Sequence, residues 1–335
     1  MGEKCYIVEN WVYTNDKLCD MIKKTKQKGL LIMAKEKQSK MRTSKDLRSV
    51  AARNISGWIL ILPAIFLFFM LTWRPIGIGI GYSFFELKGF TPVEFVGFKN
   101  YVDVLTDTNF IQTLWNTLKY VLWSLIIGFP LPFICAVMMN EMVHIQGWFK
   151  VTTYLPTIIP SIAVCMIWKM VYMDGDGGLL NMLRYYLGLQ PMGWLSNKNL
   201  VIPLIIIAMS WSGFGGTLIM YLASLQGINN ELYEAARLDG AGFFGRIVHV
   251  LFPHMRGIIL LNLVRQIMGV FNVSEQPLTM TGGGPNGASL SLGLTNYFYA
   301  FKYGQYDKSL ALGVITFCML SVLTFIYFNL DKRVD

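Results

Sequence analysis

Apolar positions in this chain fall in blocks rather than in the stripes of a soluble helix or the alternation of a strand. Residues 55–73, 120–139, 151–172, 200–225 and 309–330 are each about twenty residues of mostly Leu, Ile, Val, Phe, Met and Trp, with almost no charge. A helix of ~20 residues crosses the hydrocarbon core of a bilayer, so each block predicts a membrane span. Residues 257–273 form a weaker sixth block with Arg265 at its centre. On an insertion scale that arginine costs ~3 kcal/mol, and each Leu, Ile, Val or Phe offsets roughly 0.3–0.6, which leaves the block near balance.

The distribution of charge decides for six spans. With the Lys-rich start inside, residues 1–54, 140–150, 226–256 and 331–335 carry nineteen Lys and Arg, and the opposite segments carry eight. Removing the fifth span would move Lys332 and Arg333 outside, against the excess of basic residues that cytoplasmic segments show. The expected fold is an all-α polytopic membrane protein with six transmembrane helices and both termini cytoplasmic.

Residues 1–54 read as a basic cytoplasmic tail, with room for one short helix. Met33 is a plausible true start, as is Met41, so residues 1–32 read as an extension upstream of the start. The opening shows no basic, apolar and small-residue succession of a signal peptide. Residues 55–330 form the transmembrane domain and 331–335 a short cytoplasmic tail.

Composition narrows the function. At 54% hydrophobic and 15% charged residues, the chain lacks the polar surface a soluble domain of 335 residues needs. Of the net charge of +9, thirteen basic against six acidic residues in 1–54 supply +7, a pattern that serves topology and lipid headgroups rather than nucleic acid. Cys5, Cys19, Cys135, Cys165 and Cys318 have no metal-ligand spacing and read as small apolar residues. His144, His249 and His254 are scattered and read as surface loop residues. No nucleophile, zinc or phosphate-binding motif is present, so any ATP consumed is bound by another chain.

Residues 227–257, GINNELYEAARLDGAGFFGRIVHVLFPHMRG, lie between the fourth and fifth spans. Asn229 or Asn230 can cap a helix whose first turn holds Glu231 and Glu234 beside the dipole's positive end. Gly240 can end that helix in the left-handed conformation. A second amphipathic stretch from Phe243 to Phe252 is expected to stop at Pro253.

Glu234-Ala235-Ala236, then Asp239-Gly240-Ala241, then Ile247, Val250, Phe252 and Pro253 resemble the EAA loop of binding-protein-dependent ABC importer permeases, EAAxxDGAxxxxxFxxIxLP. Ile247, Val250 and Phe252 depart from the usual letters and keep apolar character. FVGFKNY with the later Asn116-Thr117, GGLLNMLRYYLGL with GWL, and Thr281 to Pro285 (TGGGP) are similar to segments of the carbohydrate-uptake branch. The resemblance implies the type I importer permease fold in a bacterial cytoplasmic membrane. It further implies coupling of Glu234, Ala235, Ala236, Asp239, Gly240, Ala241 and Pro253 to two copies of an ATPase subunit, a second related permease, and an extracytoplasmic solute-binding protein. The implied substrate is a mono-, di- or oligosaccharide or a glycerol-phosphate-like solute, carried by alternating access. The implied chain is not an enzyme and holds no cofactor, the ATP belonging to its partner.

Within the spans, Arg265, Phe271 and Asn272 are the candidates for the translocation path, with Lys169, Trp168, Trp211 and Phe214 behind them. Packing between helices is the competing reading for Arg265 and for the aromatics, and reach to the interface is the competing reading for Lys169. Gly282 to Gly284 are expected to form a tight turn. An ATP-independent secondary transporter or channel would show paired mid-membrane charges or an inverted repeat, and a membrane enzyme would cluster His, Asp or Glu; the sequence shows none of these.

Overall fold

The computed structural model describes residues 45–141 and 146–331. The start-site reading, most of the basic tail, Cys5, Cys19, His144 and the closing residues 332–335 lie outside them. The chain separates into two units, residues 1–76 and 77–335. The described part of the first is helix α1 (Lys45–Phe68), a π turn (Phe69–Trp73) and the start of α2 (Arg74–Tyr82). The helix begins at Lys45, inside the segment read as tail. Trp58, Leu60, Leu71 and Trp73 are exposed on several sides, which suits a helix whose solvent is hydrocarbon.

The second unit opens with an antiparallel hairpin, β1 (Phe85–Lys88) and β2 (Thr91–Phe95). The short α3 (Lys99–Leu105) follows, and Asn100 is buried there, donating to the carbonyls of Ser83 and Phe85. The second span is longer than the apolar block: α4 (Phe110–Trp123), a π turn (Ser124–Gly128) and α5 (Pro130–Glu141). Its polar first turns are retained because they face protein, with Thr113, Asn116 and Thr117 all buried.

The third span is not one helix. α6 (Gln146–Ile158) and α7 (Ser161–Val171) meet at an angle of 96°. Pro160 sits at the break: a proline removes an amide donor and disfavours the helical conformation at the residue before it, here Ile159. The bent pair nevertheless follows α9 (Val201–Gln226) along its length. Thr157 donates to the Ser212 carbonyl at 2.9 Å, and the Tyr172 hydroxyl to the Leu204 carbonyl at 3.3 Å. Gly215 permits the close approach of α6 to α9: a Cβ there would lie 2.6 Å from the Thr153 carbonyl oxygen. Between the third and fourth spans, α8 (Leu179–Tyr186) belongs to a loop organised around buried Asn181.

α9 is the central span, with Ile205, Leu218, Tyr221 and Leu222 among its buried residues. After α10 (Asn230–Leu238), the helical path α11 (Phe243–Arg246), a π turn (Ile247–Leu251) and α12 (Phe252–Phe271) is continuous. Pro253 therefore does not stop the helix. The π turn takes up one extra residue, the Phe252 amide bonds to the Ile247 carbonyl, and Pro253 follows directly as the helix continues. His249 and His254 are exposed on this helix, not in loops. α13 (Glu275–Thr281), α14 (Leu292–Tyr297) with its following π turn (Phe298–Lys302), and α15 (Tyr306–Asp331) complete the unit.

Among the described residues, five helices are long and apolar enough to cross a membrane, and six crossings result when the bent pair counts as one. The expected spans are thus present, with longer ends and one break.

Candidate functional site

Two places hold the residues singled out from the sequence. The first is the knuckle between α9 and α12. The Asn229 side-chain oxygen accepts from the Glu231 amide at 3.0 Å, capping α10, and its Nδ2 donates to the Glu231 carboxylate at 3.1 Å. At the other end the Ala241 amide bonds to the Ala236 carbonyl at 2.9 Å, while Gly240 takes φ +80°. A left-handed residue there lets the chain reverse without a Cβ penalty and begin α11. Glu234, Ala235, Asp239 and Gly240 are exposed, and Ala236 and Ala241 are half-buried. Beside them stand uncovered apolar side chains, Leu238 at 89% and Phe244 at 78% exposure.

The knuckle is rooted in the bundle. Arg246 is buried and lies 3.9 Å from the Glu141 carboxylate at the end of α5. Leu251 and Met255 are buried in one cluster with Ala136 and Val137 of α5 and Leu222 and Leu225 of α9. The base of the knuckle is therefore packed into the bundle at the density of a protein interior. Pro253 lies beyond this root, exposed at the start of α12.

The second place is a cavity of about 480 Å³ between α5, α9, α12 and α13. Arg265 and Asn272 line it together with Asn262, Gln266, Ser210 and Glu275. Phe271 does not; it is buried in a cluster with Val104, Phe110, Leu292 and Tyr299, so its role is packing. Phe214 is on the cavity wall, whereas Trp211 packs edge-to-face on Trp168, whose ring in turn lies against Tyr172. Lys169 is exposed in the last turn of α7. The helix that carries Arg265 ends only six residues later at Phe271, roughly 9 Å along the axis, so the arginine is not at the centre of its span. Glu275 accepts a hydrogen bond of 2.5 Å from Ser161, the first residue of α7 after the break.

Sequence reasoning missed the side chains that hold the loops. Asn116 donates to the carbonyls of Gly287 and Leu290, Thr117 accepts from the Leu292 amide, and Tyr120 donates to the Ser289 carbonyl. The Asn-Thr pair thus holds residues 287–292, which follow the TGGGP segment, across about 170 residues, and Gly282 and Gly283 stand in the expected turn at φ +60° and +90°. Tyr299 donates to Asp107 at 2.8 Å; burial, and then this bond, push its phenol above the usual range, so it stays a neutral donor.

Residues 128–335 match the model of the binding-protein-dependent transport system inner membrane component family. The chain belongs to that family. This permease is 28% identical over 242 residues to the arabinooligosaccharides transport system permease protein AraP of Bacillus subtilis (strain 168), covering 71% of this chain and 77% of the relative. It is 27% identical over 277 residues to the trehalose/maltose transport system permease protein MalF of Thermococcus litoralis (strain ATCC 51850 / DSM 5473 / JCM 8560 / NS-C), covering 82% and 93%. Its fold matches a chain in the crystal structure of a bacterial ABC transporter involved in the import of the acidic polysaccharide alginate, with a TM-score of 0.75 and 24% identity over 86% of this chain and 99% of that one. The permease is accordingly a multi-pass inner-membrane transport component with the importer permease fold.

Proposed function

We propose that this permease forms half of the pore of an ATP-driven carbohydrate importer. Residues 229–253 dock on a separate ATPase subunit, one copy beneath this chain and one beneath a second, related permease, while an extracytoplasmic binding protein delivers the solute. The knuckle lies on the cytoplasmic side in this reading, and the chain has no ATP site of its own. The observation that carries it is the exposed, capped Glu234–Ala241 turn standing on a buried root. Small side chains at Ala235 and Gly240 allow close approach of another surface, Glu234 and Asp239 can meet basic groups there, and Leu238 and Phe244 offer an apolar face of the kind subunit interfaces cover. The carbohydrate substrate is supported by relatives whose names specify arabinooligosaccharides and trehalose or maltose.

The cavity supplies the other half of the reading. Its amide and hydroxyl groups, Asn262, Gln266, Asn272 and Ser210, are the donors and acceptors that sugar hydroxyls require, and its volume is within the ordinary range of small-molecule sites. Transport follows when ATPase closure displaces the knuckle and the bundle exchanges one opening of the cavity for the other; the nucleotide must bind the two states unequally for this to happen. The test is Glu234→Lys and Gly240→Pro. Each is expected to reduce uptake and ATPase stimulation at least tenfold while membrane levels stay at those of the parent. Parental uptake in either variant refutes coupling through this turn.

A further inference from the structure

We infer that Arg265 makes the cavity selective for a carbohydrate bearing a carboxylate, such as a uronate oligosaccharide. The inference rests on the carbohydrate reading above and adds the charge of the substrate. Arg265 and Glu275 are the charged residues on the cavity wall, and they are not equivalent. Arg265 makes no hydrogen bond or ion pair with any described residue, whereas Glu275 is engaged by the Ser161 hydroxyl. Glu275 also faces the first turn of α7, whose dipole end favours a negative charge. The acid is thus already served by the protein and the guanidinium is not.

Arg265 is exposed to the cavity rather than packed among its neighbours, and lone charges within spans face protein or water rather than lipid. No acidic side chain among the described residues answers its charge. An anion that arrives with the substrate would answer it. The planar fork of donors matches a carboxylate in two parallel hydrogen bonds. Gln266, next in sequence, and Asn262 and Asn272 are uncharged and suit the hydroxyls of the same sugar.

The test compares trigalacturonate with its fully methyl-esterified form, which keeps the ring geometry and hydroxyls and removes the charge. Binding is measured on the purified permease–ATPase complex without binding protein, so that the delivery protein's own preference does not enter. The acid is expected to bind at least about tenfold more tightly than the ester. Arg265→Gln should bring the two to equal affinity, and Arg265→Lys should keep a reduced preference for the acid, with membrane levels and basal ATPase rates measured for each. Equal binding of acid and ester by the parent complex overturns the inference, as does a preference that survives in Arg265→Gln. Should Arg265→Gln fail to assemble, the parent's acid-to-ester ratio and its decline with salt decide. If neutral oligosaccharides are imported and bind while the acid does not, the charge inference fails and the carbohydrate reading stands. If oligosaccharides of neither class bind or are imported, the carbohydrate reading itself fails.

Discussion

Asn181 shows how one side chain can organise a loop. Its Nδ2 donates to the carbonyls of Met173, Gly175 and Met192, and its Oδ1 accepts from the Met192 amide and the Trp194 indole. Only 2% of the residue is exposed, so water cannot replace these bonds. Asn181→Ala is expected to destabilise the loop by at least ~2 kcal/mol, because each buried group left without a partner costs ~1–3 kcal/mol. Limited proteolysis between residues 173 and 194 should become severalfold faster; an unchanged cleavage rate would refute the central role of this residue. The sequence holds the asparagine but not its partners, which lie up to thirteen positions away on a chain whose reversal is decided elsewhere. The same holds for Asn116 and Thr117: their spacing hinted at a shared signature, and only the folded chain brings them to residues 287–292, just after the TGGGP turn.

At the scale of elements, the contact of α6 with α9 depends on a missing side chain. Besides the Thr153 carbonyl, a Cβ at Gly215 would meet the Thr157 hydroxyl oxygen at 2.8 Å, while one at Gly216 would meet nothing within 4 Å. Gly215→Leu should force the helices apart, at the ~1–3 kcal/mol or more that overpacking costs, and lower the midpoint of thermal inactivation of the solubilised protein. Gly216→Ala is the control and should be neutral. If both behave alike, the close approach does not support the bent span. The break in that span was only half legible. Prolines 156 and 160 were visible in the block, but α6 keeps Pro156 inside the helix and breaks after Ile158, so proline alone does not say which site bends. Pro253 teaches the same lesson in reverse, since a π turn absorbs it and the helix continues.

For the whole molecule, alternation of six crossings puts α8 and the α10 knuckle on opposite faces of the membrane. Single cysteines at Tyr186 and Leu238, both well exposed, test this in a background lacking the native cysteines. An impermeant maleimide applied to intact cells should label the Tyr186→Cys variant and leave Leu238→Cys unlabelled until the membrane is opened. Labelling of both from one side would reject the six-span arrangement and, with it, the placement of the knuckle beside an ATPase.

The number of spans and the position of the knuckle are determined by the sequence, because burial in lipid requires unbroken apolar length and because caps and turns are local chemistry. Gly240 in the left-handed conformation and Asn229 as a cap needed only neighbours within a few residues. Which intramembrane side chains line a cavity and which fill a core was decided by the tertiary structure alone. Phe271 and Asn272 are adjacent in the chain and end in different environments, one packed and one open, since helix rotation and the approach of α13 and α14 choose the face. Those depend on contacts between residues far apart in sequence, which no local pattern encodes.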